Sequence, residues 1–323
     1  MLRHVLICLI GLVGAQAVAA PPQPPEQPAT GPGGADYKHR QVVQSTFGSG
    51  ASQYWVFEPG DPSPETAPLI VFNHGWMGID PRFYQAWIDH LAKRGNIVVF
   101  PQYQRGPLTL PQLFTPFAVA ATKDAIRRLQ QGGHVRPDLG KFAIVGHSAG
   151  GAITANMAAR AAADGLPTPK AIMPVEPGTG AETGREWTVP LEDFSKIPRG
   201  CLMLVVVGAD DKLARDVSAK QIFRGASQIP AEDKDFVIVN TDRHGQPALI
   251  ADHFAPCGAV EGTRSQVDAL DYYAFWKLFD ALTDAAFYGT NREYALGNTP
   301  PQRYMGTWSD GRPVAELTVT DNP

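Results

Sequence analysis

The sequence predicts an α/β protein built on a doubly wound, mostly parallel sheet with an antiparallel hairpin at its N-terminal edge. Three observations carry this. Short runs rich in Val, Ile, Leu and Phe, without polar alternation, occur at residues 69–72, 97–100, 142–145, 171–175, 202–207 and 236–239. Strands buried on both faces read this way. Helical stretches at 83–94, 117–129, 148–163, 217–224 and 268–282 lie between and after these runs, which gives parallel strands the crossovers they require. Ahead of them, strand-like runs at 41–46 and 53–57 flank Gly48-Ser49-Gly50, the pattern of a hairpin.

The ends of the chain read differently from its middle. Arg3 and His4 precede an apolar run at 5–13 and then small residues ending Ala17-Val18-Ala19. This is the pattern of a signal peptide over residues 1–19, cleaved to leave a secreted or periplasmic protein. The apolar run is far shorter than the ~20 residues that cross a bilayer, so no membrane span is expected. Residues 20–36 are dominated by Pro, Gly and Gln and read as a flexible leader. One domain is expected over 37–287. The tail at 288–323, with Gly, Pro and scattered aromatics but no periodicity, is expected to pack on it as irregular structure.

Composition narrows the partners. Of 323 residues, 44% are hydrophobic and 19% charged, with a net charge of −4, and no Lys/Arg cluster is present to neutralise a run of phosphates. Nucleic acid is therefore an unsuitable partner; a small-molecule or lipid-like ester is expected instead. Oligomeric state is not readable. Of three cysteines, Cys8 falls in the signal segment, leaving Cys201 and Cys257. Cys201 should open a strand and Cys257 should follow a loop beyond the other end of the sheet, so two separate buried thiols are expected.

Chemistry concentrates where the strand at 142–145 runs into Gly146-His147-Ser148-Ala149-Gly150-Gly151 and a long helix. This G-x-S-x-G stands in the strand–turn–helix setting of a nucleophile elbow, which projects Ser148 above the sheet. A bare glycine-rich turn would have no such role; the setting is what points to a nucleophile. Gly146 and Gly150 are needed because a Cβ at either would meet the neighbouring strand or helix. The α/β-hydrolase fold is the one in which this elbow occurs.

A serine hydroxyl needs a base to take its proton. Eight histidines are present, and the chain order serine, acid, histidine confines the choice to His244 and His253. His253, in Asp252-His253-Phe254-Ala255-Pro256 between the last strand and the last helix, is preferred; His244 reads as a turn residue. The acid should follow the strand at 202–207, in Gly208-Ala209-Asp210-Asp211. Asp211 is preferred, with Asp210 and Glu176, which follows the preceding strand, as alternatives. Two backbone N–H groups should stabilise an oxyanion: that of Ala149 after the nucleophile and that of Trp76 in Asn73-His74-Gly75-Trp76-Met77-Gly78. The competing reading for Trp76 is plain core packing. His74 and His147 stand outside the base's place in the chain order and read as structural hydrogen-bonders. No cofactor or metal is expected, since the histidine spacing matches no zinc pattern and the glycines belong to no phosphate loop.

The elbow, the His-Gly-Trp loop and the Asp-His-Phe-Ala-Pro segment, followed by a helix carrying Tyr272, Phe275, Trp276 and Leu278, resemble the bacterial cutinase and polyester-hydrolase branch of the α/β-hydrolases over roughly residues 67–282. The resemblance implies that Trp76 donates the oxyanion N–H, and supports Asp211. Ala149 stands where that branch usually has Met, and Glu176-Pro177-Gly178 where it has Trp, so a generic esterase is expected rather than a polymer hydrolase. Glu176-Pro177-Gly178 is also similar to the run in chlorophyllase-like hydrolases. The expected activity is carboxylic ester cleavage through an acyl-enzyme. An amidase or peptidase using the same residues, and a catalytically silent ligand-binding homologue, are the alternatives. The stretch at 178–197, where this fold commonly inserts a cap, is too short for a lid domain, so an open or shallowly covered cleft is expected.

Overall fold

The computed structural model describes residues 20–258 and 266–323. The signal segment expected at 1–19 lies outside the described residues.

The chain opens with β1 (Gln41–Phe47) and β2 (Tyr54–Gly60), an antiparallel pair in the register Gln41 to Gly60 through Phe47 to Tyr54. β3 (Thr66–Asn73), α1 (Gln85–Lys93), β4 (Ile97–Pro101), α2 (Phe114–Leu129) and β5 (Arg136–His147) follow. Next come α3 (Ala149–Asp164), β6 (Ala171–Val175), β7 (Leu202–Gly208), α4 (Val217–Gly225) and β8 (Lys234–Val239). A π-helical turn at Asp271–Trp276 leads into α5 (Lys277–Tyr288). The short α6 (Pro300–Arg303) and β9 (Thr318–Thr320) end the chain. Among the described residues, nine strands lie in one sheet in the order β1-β2-β4-β3-β5-β6-β7-β8-β9, with β3 to β8 parallel and both edges antiparallel.

The sheet divides the core in two. Alternate residues of a strand face opposite sides, and β3 shows it: Leu69 and Val71 join one apolar cluster with α2, α3 and α4, whereas Ile70 and Phe72 join the other with α1 and α5. This two-sided burial is why the central strands show no polar alternation. It also separates the cysteines: Cys201 is buried in the first cluster and Cys257 in the second, and no disulfide joins them.

Two expectations about the ends need correcting. The leader at 20–36 is laid along the domain rather than left flexible. Gln246 N donates to Pro22 O (2.9 Å), Ser309 N to Gln23 O (3.0 Å) and Gly33 N to the buried Asp280 carboxylate (2.8 Å). A leader poor in apolar side chains is held by its backbone, a source of order that composition does not reveal. At Gly33 the backbone has φ +79° and an added Cβ would lie 2.0 Å from Tyr272 O, so only glycine fits. The tail at 288–323 is likewise not all irregular. β9 pairs with β8 and covers the sheet edge, and Leu296, Met305, Trp308 and Leu317 join the second core cluster. A three-residue strand is too short for alternation to register.

Candidate active site

Ser148 stands between β5 and α3 with φ 57° and ψ −122°, a sparsely populated conformation for a non-glycine residue that costs about 1–3 kcal/mol. The surroundings over-determine it. Ser148 N donates to Val175 O (2.9 Å), while Ser148 O accepts from Gly151 N (2.9 Å) and Gly178 N (3.1 Å). The flanking glycines allow the close approach. A Cβ on Gly146 would lie 2.4 Å from Gly150 O, and one on Gly150 would lie 2.1 Å from Asn73 O.

His253 reaches the serine from the loop after β8. Its Nε2 is 2.9 Å from Ser148 Oγ and its Nδ1 is 2.8 Å from Asp211 Oδ2. Asp211, buried after β7, uses its other oxygen to accept from Leu213 N (2.8 Å) and Ala214 N (3.0 Å). The turn thus fixes the carboxylate while the carboxylate fixes the imidazole. Of the alternatives, Asp210 turns elsewhere, accepting from Thr241 Oγ1 (2.8 Å) and Arg243 (2.7 Å). His244 is remote from the serine and pairs with Asp310 at 2.7 Å.

Glu176 is not brought into direct contact with Nδ1, yet it is close. Its Oε2 is 3.7 Å from His253 Nδ1 and 3.3 Å from His147 Nε2, and the residue is fully buried. Burial pushes its pKa well above the carboxylate range, reinforced by the charges of Asp211 and then Asp252.

A hydrogen-bonded chain supports the site from below. Gly75 N donates to Tyr84 Oη (2.9 Å), Tyr84 Oη lies 2.9 Å from His147 Nδ1, and His147 Nε2 lies 2.8 Å from the backbone oxygen of His253. Burial, then the proximity of His253, drives the His147 pKa well down, so His147 is neutral. With Nε2 as its protonated nitrogen, it donates to His253 O and accepts a hydrogen bond from the Tyr84 hydroxyl at Nδ1. Tyr84 was not foreseen as a site residue; nothing in its local sequence distinguishes it from any aromatic at the start of a helix. His74 is packed flat on Tyr103 with centroids 4.0 Å apart, its ring nitrogens facing Gly75 O and Gln102 O, and burial lowers its pKa to about 4.

The loop after β3 crosses above the serine. A Cβ on Gly75 would be 3.3 Å from Ser148 Cβ, which measures how close the loop comes. The backbone N–H groups of Trp76 and Ala149 are matched to no acceptor among the described residues, whereas the next one, Met77 N, is tied to Gln104 Oε1 at 2.8 Å. Both unmatched groups border the cleft over Ser148, whose volume is about 410 Å³. Its walls are largely apolar, from Trp76, Met77, Phe83, Leu213 and Phe254. The Arg185 guanidinium lies 4.4 Å from the Trp76 ring centroid and closes one side. Trp76 is half-buried, edge-on to Phe114 at 5.2 Å, so its indole joins the core as well as the cleft. Residues 178–185 form a wall of this cleft, not a lid domain.

His147, Glu176 and His253 offer ligand atoms within 4.8 Å of one another, the geometry of a metal cluster. Both nitrogens of His147 have hydrogen-bond partners in Tyr84 and His253, and His253 is engaged by Ser148 and Asp211. Among the described residues, no helix is long and apolar enough to cross a membrane.

Residues 70–219, from within β3 into α4, match the family described as the alpha/beta hydrolase fold. No curated protein matches the chain. The matched region includes Ser148, Glu176 and Asp211 and ends before His253.

Proposed function

Since this chain belongs to the α/β-hydrolase superfamily and is a hydrolase of that type, we propose that it cleaves carboxylic esters with Ser148 as nucleophile, His253 as base and Asp211 as acid. The observation that carries this reading is the unbroken line from Ser148 Oγ through His253 to Asp211 Oδ2, at 2.9 and 2.8 Å. His253 Nε2 takes the Ser148 proton as Oγ attacks the ester carbonyl, and Asp211 holds Nδ1–H so that Nε2 is the free base. The negative charge that develops on the carbonyl oxygen falls to the unmatched N–H groups of Trp76 and Ala149, a pair worth about 10²–10³ in rate per donor. The imidazolium then protonates the departing alkoxide. Water, deprotonated by the same imidazole, cleaves the acyl-serine and returns the proton to Ser148.

Ester rather than amide cleavage is favoured by the cleft, which among the described residues is largely apolar and bounded by the short wall at 178–185. Export through the signal segment at 1–19 and action as a secreted or periplasmic enzyme complete the proposal.

The test is hydrolysis of p-nitrophenyl esters of increasing acyl length by the wild type and by Ser148→Ala. Turnover by the wild type should fall by at least about 10⁴ in the variant. Equal inertness of both folded proteins on every ester would reject the reading and favour an amidase or a silent binding protein.

A further inference from the structure

One buried group at the site has no part in the reaction just described. Glu176 stands at the end of β6 with φ +46°, its backbone N–H donating to Val206 O at 2.7 Å. Its carboxyl lies beside the imidazole of His253, with Oε2 3.7 Å from Nδ1. The carboxyl has no exposed surface, and neither oxygen reaches hydrogen-bond geometry with a partner. A carboxyl so placed ordinarily costs several kcal/mol if charged, and a buried apolar residue would avoid that cost. Room has even been kept for it: a Cβ on Gly208 would lie 2.6 Å from Glu176 Oε1.

The distances suggest a use. Glu176 Oε2 is 3.7 Å from His253 Nδ1, less than 1 Å beyond the 2.8 Å at which Asp211 Oδ2 sits on the same nitrogen. Two carboxylates this close to one imidazole do not both ionise in a buried site. Asp211 is the one fixed by two backbone N–H groups, so Glu176 keeps its proton and the site carries one negative charge to balance one imidazolium. We propose that Glu176 is a second acceptor for the Nδ1–H of His253, standing behind Asp211 and able to orient the imidazole when Asp211 cannot. Removing the Asp211 charge removes the repulsion that, after burial, does most to keep Glu176 neutral. It also leaves the Nδ1–H of His253 without its acceptor and 3.7 Å from the Glu176 carboxyl. Glu176 is therefore a positioning residue that acts through His253.

This inference rests on the serine-hydrolase reading, and its test separates the two. Asp211→Ala removes the acid without offering His253 a misdirected donor. It is compared with Asp211→Ala/Glu176→Gln, with wild type and with Glu176→Gln, each normalised to the fraction of Ser148 titrated by a phosphonate inhibitor. With Glu176 able to take over, Asp211→Ala should lose only about 10–10² in kcat, against about 3 × 10⁴ for a triad acid that has no substitute. Adding Glu176→Gln should then cost a further ~10² in kcat with KM held, and at least ten times more than the same change costs in the wild type. A residue that merely fills space would give equal factors in both backgrounds. The inference is overturned if Asp211→Ala already falls by about 10⁴ and Glu176→Gln changes it less than about threefold. If the double variant does not fold, the size of the Asp211→Ala loss decides alone. Absence of Ser148-dependent turnover in the wild type would overturn both readings.

Discussion

Asp210 and Asp211 are neighbours in the chain and serve different partners: Asp211 sits 2.8 Å from His253 Nδ1, while Asp210 sits 2.7 Å from Arg243. The backbone turn after β7 separates them, with Asp210 N bonded to Ala251 O (2.9 Å) and Asp211 N to Gly208 O (3.1 Å). Asp210 is held below the usual carboxylate range by the part-buried Thr241 hydroxyl and then by the exposed Arg243. Exposed pairs of this kind contribute about 0–1 kcal/mol. Asp210→Asn is therefore expected to keep kcat/KM within about threefold and to lower stability by less than ~1 kcal/mol. Ester kinetics and urea unfolding check this; a thousandfold loss of kcat would mean that the acid has been assigned to the wrong aspartate.

How much of this was legible in the sequence depends on whether a feature is local. The six parallel strands announced themselves because both faces of each are buried, and the elbow because Gly146 and Gly150 sit where a Cβ would strike backbone. The sequence favours Asp211 over Asp210 only weakly, because adjacent aspartates differ little in local signal; the turn's hydrogen bonds are what send the two side chains to different partners. Tyr84 was illegible: its hydroxyl meets His147 across 63 residues of chain, and no spacing rule connects them. The leader was misread because its order comes from backbone contacts to Gln246, Ser309 and Asp280, which lie more than 200 residues away.

Gly150 offers the sharpest test of the elbow. Its missing Cβ would lie 2.1 Å from Asn73 O and 2.4 Å from His74 O, and both are backbone atoms of the strand end that leads to Trp76. No rotamer change relieves such a clash, so the helix must move away from β3. Gly150→Ala is expected to destabilise the protein by about 3 kcal/mol, the upper part of the overpacking range, and to lower kcat beyond what the folded fraction explains. Thermal unfolding and Ser148 titration measure the two effects separately. A variant of wild-type stability and rate would contradict the close approach.

The last prediction concerns the anchor of the leader. Asp280, fully buried on α5, accepts from Gly33 N and His90 Nε2, both at 2.8 Å, and lies 3.2 Å from Arg94 Nε. Burial alone would raise its pKa, but the charges of His90 and Arg94, with the His90 and Gly33 hydrogen bonds, outweigh it, and the net direction is down. A carboxyl whose folded pKa lies below its unfolded value of about 3.9 binds fewer protons when folded. Its contribution is therefore complete above that value and is lost as the pH falls through the folded one. Asp280→Asn is expected to cost about 3 kcal/mol at pH 7, the low end for breaking a buried pair, because Arg94 keeps Asp284 at 3.4 Å and Asp36 at 3.8 Å. The gap between wild type and variant should close as the pH drops below about 4. In the variant, backbone amides of the 20–36 segment should also exchange with solvent faster than those of β1. Urea unfolding across pH, paired with hydrogen exchange, checks both parts; a gap that widens in acid would reverse the sign assigned to Asp280.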